Sequence, residues 1–102
     1  MANWVRVAKV GDLEPGQGKT VEIRRTAIAL FNVDGTFYAI GNACRHQGGP
    51  LAEGKLVGTA VICPWHEWRF DVTSGAFLRN PDIGVPRYNL EIRGDDICIE
   101  MP

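Results

Sequence analysis

Histidine is nearly missing from this chain, with two residues among 102, and cysteine contributes only three. An odd, small number of cysteines makes no disulfide framework, so the thiols are expected to stay reduced in a cytoplasmic setting. Long apolar runs are also missing. None approaches the roughly 20 residues of a membrane span, and the start Met1-Ala2-Asn3-Trp4-Val5-Arg6-Val7 lacks the charged lead and apolar stretch of a signal peptide. Neither charge sign dominates: 11 lysines and arginines against 12 aspartates and glutamates leave a net −1. That balance supplies no basic footprint for nucleic acid and no acidic tail. No segment keeps a helical period over about ten residues, which argues against a helical bundle. The length fits a single domain over residues 1–102, with room for one core but not for a large substrate pocket as well.

What the chain does have is glycine (12 residues), proline (six) and a period of two. Val5 and Val7, with Val10 as a further candidate, alternate with Arg6 and Lys9. Leu13-Glu14-Pro15-Gly16-Gln17-Gly18 reads as a turn before the alternating segment Thr20–Arg24. Ile28–Val33 and Thr36–Ile40 flank Asp34-Gly35, a pair suited to the positive φ angles of a tight hairpin turn. Further strands are expected at Thr59–Ile62, Trp68–Val72 and Ala76–Leu78, and a last hairpin at Tyr88–Ile92 and Ile97–Met101. The expected fold is all-β, an antiparallel sandwich or small barrel.

Two stretches break the alternation: Asn42-Ala43-Cys44-Arg45-His46-Gln47-Gly48-Gly49-Pro50-Leu51 and Cys63-Pro64-Trp65-His66-Glu67-Trp68-Arg69-Phe70-Asp71. Each follows an apolar strand and carries one cysteine and one histidine, as Cys-x-His and Cys-x-x-His. Both histidines and two of the three cysteines therefore sit in two short loops. Two thiolates and two imidazoles suit a tetrahedral zinc, and they equally suit a two-iron, two-sulfur cluster of mixed ligation. Zinc sites more often repeat Cys-x-x-Cys or His-x-x-x-His knuckles. One ligand of each type per loop suits two adjacent irons, one held by both sulfurs and the other by both nitrogens.

Cys44-x-His46 followed by Gly48, then Cys63-Pro64-x-His66 leading to Phe70-Asp71 and Gly75, resembles the Rieske family. Leu13-Glu14-Pro15-Gly16 and Gly84-Val85-Pro86-Arg87-Tyr88 extend the resemblance over most of the chain. The resemblance implies an antiparallel β fold with a small cluster-binding subdomain, its loops near residues 42–54, 63–71 and 78–84. It implies one 2Fe–2S cluster, with Cys44 and Cys63 on the inner iron and His46 and His66 on the outer, solvent-facing one. Around the ligands, Gln47, Gly48, Gly49, Pro64, Trp65, Trp68 and Pro81 are expected to line the cluster. The two glycines would let backbone N–H groups reach the sulfides, and Pro64 would stiffen its loop.

Departures from the family pattern point to its soluble, low-potential, oxygenase-associated branch. In respiratory members a disulfide links the two loops at positions matching Gly49 and Trp65, and neither is a cysteine here. Their serine and tyrosine hydroxyls, which donate to the cluster sulfurs, fall at Trp68 and Phe70, which carry no hydroxyl. Fewer donors stabilise the added electron less, so the potential is expected in the lower part of the Rieske range of about −150 to +300 mV.

The function this implies is a soluble one-electron carrier, not itself an enzyme. It would take electrons from a flavin-dependent reductase and pass them to a terminal oxygenase of the aromatic-ring type, docking transiently near His46 and His66 as a monomer. No histidine remains to build a mononuclear oxygenase iron. Two alternatives stay open: the electron-transfer small subunit of a reductase such as nitrite reductase, and a zinc-bound structural or interaction module. Among single residues, Cys98 is expected to be a structural thiol on the final strand and Trp68 a core residue. Trp65 fits either a partner contact or loop packing in place of the missing disulfide, and Arg45, Gln47 and Glu67 would set the charge of the docking face.

Overall fold

The computed structural model describes residues 3–43, 49–65 and 67–101. Among them run twelve strands: β1 (Asn3–Lys9), β2 (Gly18–Ile23), β3 (Thr26–Val33), β4 (Thr36–Gly41), β5 (Lys55–Val57), β6 (Ala60–Ile62), β7 (Arg69–Asp71), β8 (Ala76–Phe77), β9 (Asn80–Gly84), β10 (Arg87–Tyr88), β11 (Leu90–Arg93) and β12 (Asp96–Met101). All pairings are antiparallel, in three sheets of order β1-β12-β11, β10-β4-β3-β2 and β5-β6-β7-β8-β9. The expected all-β class holds, and no helix among the described residues is long and apolar enough to cross a membrane.

Strand β3 explains how the sheets stack. Side chains alternate across a strand, yet Ile28, Ala29, Leu30 and Phe31 are all buried. Ile28 and Leu30 join Leu13, Ile23, Ala39, Ile99 and Met101 in one apolar cluster, on the side of the β1-β12-β11 sheet. Ala29 and Phe31 join Ile40, Leu51, Val61, Phe70, Val72 and Phe77 in a second, against the five-stranded sheet. The four-stranded sheet is thus the middle layer, and the run Ile28–Phe31 is continuous because it serves two cores.

The hairpin over Asp34-Gly35 forms as expected, with φ of 50° and 93° and Val33 paired to Thr36. Val10 is a difference: it starts a short 3-10 turn, Val10–Asp12, rather than extending β1. Strand β5 takes Lys55–Val57, which the alternation did not single out, because only three residues pair with β6. The third cluster loop expected near 78–84 needs the clearest correction. Asn80–Gly84 is strand β9, paired with β8, and only the turn at Leu78 and Arg79 remains loop. Pro81 reads as a strand breaker, but β9 is the edge of its sheet, where a missing N–H costs no ladder bond.

Candidate metal centre

Four elements bound the site. Strand β4 delivers the chain to Asn42, and the first expected cluster loop returns at Pro50, which bridges back to Ala43. The buried Asn42 side chain closes this excursion: its Oδ1 accepts from Ala52 N–H at 2.9 Å. Its carbonyl accepts from Leu51 N–H at 2.8 Å, and its own N–H donates to Ala27 O at 3.1 Å. Three bonds thus tie the end of β4, the start of β3 and the 3-10 turn Leu51–Glu53 together. Asn42 sat in the ligand-bearing stretch without an assigned role, because a loop asparagine is ordinarily a turn residue.

The second loop leaves β6 at Ile62 and enters β7 at Arg69. Cys63 N–H donates to Trp68 O at 2.7 Å, which pinches the loop shut at its base. Glu67 takes φ of 59°, a left-handed conformation that non-glycine residues adopt only at a cost of about 1–2 kcal/mol. Beyond the loop, Trp68 stacks on Phe77 with ring centroids 4.1 Å apart and planes 6° apart, and Phe77 lies 5.5 Å from Phe70. Trp68 therefore packs partly buried against the core, as expected. Gly75 ends the β7–β8 turn at φ 83°, its N–H donating to Asp71 O at 2.6 Å, so the family-like glycine is required by backbone geometry.

Of the expected ligands, Cys63 lies among the described residues, with 1% of its surface exposed. Cys44, His46 and His66, together with Gln47 and Gly48, lie outside them. At Cys63 the backbone of residue 49 passes close to the sulfur. A Cβ on Gly49 would stand 2.9 Å from Cys63 Sγ, so residue 49 must be glycine for the chain to pass this close. A buried thiolate is a soft ligand suited to iron or zinc and needs a metal to carry its charge. The donor chemistry therefore fits the expected group.

Pro64 is exposed at the outside of the loop, and Trp65 is 49% exposed. Pro81 is exposed on the edge strand β9. A shallow depression of about 370 Å³ beside the second loop is lined by Glu67, Trp68, Arg69, Phe77, Leu78 and Arg79. Leu78 stands 49% exposed at its rim. Cys98 is buried on β12 between Ile97 and Ile99, both fully buried, which fits a structural thiol.

A family model described as "Rieske [2Fe-2S] domain" matches residues 3–89. The ferredoxin component of the naphthalene 1,2-dioxygenase/salicylate 5-hydroxylase systems of Ralstonia sp is 37% identical over 100 residues, covering 97% of this chain and 96% of that protein. Among solved structures, the Sphingomonas yanoikuyae B1 ferredoxin superposes with a TM-score of 0.89 at 30% identity, covering 98% of this chain and 100% of that one. A putative NADH-dependent nitrite reductase small subunit from Mycobacterium tuberculosis superposes at 0.91 over 100% of this chain and 97% of its own. At 24% identity, that last likeness concerns the fold alone. The family match decides the question the donor set left open: the group is one 2Fe–2S cluster of the Rieske type, not a single zinc.

Proposed function

This chain belongs to the Rieske [2Fe–2S] family, and from that premise we propose that it is a ferredoxin passing single electrons to a terminal oxygenase. Cys44 and Cys63 hold the inner iron, and His46 and His66 the outer iron. The cluster supplies a one-electron redox couple, and the chain's own residues hold it, set its surroundings and present it to partners. The carrying observation is the buried Cys63 at the foot of a short loop, with Gly49 making room beside its sulfur. A flavin-dependent reductase loads the electron, and an aromatic-ring or related oxygenase receives it. Both dock near His46 and His66, over a face that includes Trp65, Leu78 and the mixed charges Glu67, Arg69 and Arg79. The carrier works in the cytoplasm as a monomer, because transient docking to two partners in turn needs a small, reversible contact.

The relatives' names support the oxygenase reading over a reductase subunit, since the 37%-identical Ralstonia protein is named a ferredoxin component of dioxygenase and hydroxylase systems. Stopped-flow mixing tests it. Dithionite-reduced protein is mixed anaerobically with the oxidised oxygenase component of that Ralstonia system. Reoxidation within seconds, one electron per cluster, is the expected result. No reoxidation, together with stable co-purification with a nitrite reductase large subunit, would replace the shuttle with a reductase subunit.

A further inference from the structure

Residues 49 and 65 belong to different loops, yet they touch. A Cβ on Gly49 would stand 3.1 Å from both Cγ and Cδ2 of the Trp65 indole, as well as 2.9 Å from Cys63 Sγ. The backbone at Gly49 is therefore held between the Cys63 sulfur and the tryptophan ring. Gly49 is buried, whereas the indole remains 49% exposed. One part of the ring covers the first loop and the other meets solvent, at a place where the chain could have carried a polar residue.

We propose that Trp65 is a positioning residue, a latch whose indole seats on Gly49 and holds the second cluster loop against the first. The inference rests on reading Cys63 as a cluster ligand. Each loop supplies one thiolate and one imidazole, so separation of the loops breaks the ligand set in half and is the first step of cluster loss. No cysteine stands at either position to link the loops covalently. An indole supplies a large rigid apolar contact with few rotatable bonds, so it loses little entropy when it closes over a glycine. It also keeps water and small chelators from approaching the Cys63 sulfur on that side. Pro64 restricts the φ preceding the latch, and the Cys63–Trp68 backbone bond fixes its base.

The test uses anaerobically purified, cluster-loaded protein exposed to excess bipyridyl with dithionite, following the loss of visible absorbance. Trp65→Ala is expected to lose its cluster about five- to tenfold faster than wild type, the rate equivalent of one lost aromatic contact, and Trp65→Phe about twofold faster at most. Far-UV circular dichroism of the cluster-free proteins should unfold at the same temperature in all three, since the indole stands outside both cores. Trp65→Leu gives an independent reading: it leaves residue 49 and the Cys63 sulfur unaltered but lacks the flat ring that seats on the glycine, so it should lose the cluster nearly as fast as Trp65→Ala. Equal loss rates for Trp65→Ala, Trp65→Leu and wild type would overturn the latch. If Trp65→Ala fails to accumulate, Trp65→Leu and Trp65→Phe decide the matter. Wild-type protein without iron and sulfide would instead overturn the cluster reading itself.

Discussion

Asn42 Oδ1 accepts a hydrogen bond from Ala52 N–H at 2.9 Å, ten residues along the chain, and the Cys44-x-His46 stretch lies between them in sequence. The bond works like a clasp. It is buried, so water cannot replace the acceptor cheaply if it is removed.

Asn42→Ala is therefore expected to destabilise the folded protein by about 1–3 kcal/mol, the cost of leaving a buried N–H without its acceptor. Urea unfolding of the cluster-free protein measures this directly. A loss below about 0.5 kcal/mol would mean that the Leu51–Asn42 backbone bond alone sets the loop base.

The β2–β3 hairpin turns over Arg24 and Arg25, both left-handed at φ 50° and 67°, with Ile23 paired to Thr26. Tight two-residue turns of this kind favour Asn-Gly, because a Cβ is strained there. Replacing the pair by Arg24→Asn with Arg25→Gly should raise stability by about 1–2 kcal/mol, less the added entropy of an unfolded glycine. The thermal midpoint should rise by a few degrees while the reduction potential stays where it was. An unchanged or lower midpoint would show that the arginine side chains make up the strain by contacts of their own.

Glu67 carries the same kind of strain at φ 59°, immediately after His66. Glu67→Gly should stabilise the protein by about 0.5–1 kcal/mol, and the β-branched Glu67→Val should destabilise it by at least as much. Differential scanning calorimetry on the two variants gives the order. Reversal of that order would mean that the loop rearranges when the residue changes.

Most of the fold was legible because period two is a direct consequence of strand geometry. The Asp34-Gly35 hairpin and the final hairpin follow from side-chain type and spacing, whereas the double-sided burial around Ile28–Phe31 emerges only from the stacking of the sheets. The β2–β3 turn was not legible, since Arg24-Arg25 has none of the composition that marks a turn and holds its shape through pairing on either side. The family resemblance places residues 80–84 in a loop, and pairing with strand β8 makes them an edge strand. At the site, the four expected ligands, two cysteines and two histidines, stand out by their concentration in two loops. Asn42 did not, because its role depends on a contact with Ala52 that spacing does not reveal. The closeness of Gly49 to Trp65 was likewise visible only as two positions where a cysteine pair was missing.

The reduction potential of the purified protein tests the central claim most directly, because it reports ligand type and surroundings together. Mixed histidine and cysteine ligation without hydroxyl donors, beside Trp68 and Phe70, predicts a midpoint between about −150 and +100 mV, the lower part of the Rieske range. A midpoint near about −400 mV, the value of clusters held by four cysteines, would contradict ligation by His46 and His66. A midpoint well above about +100 mV would contradict the account of the sulfur surroundings.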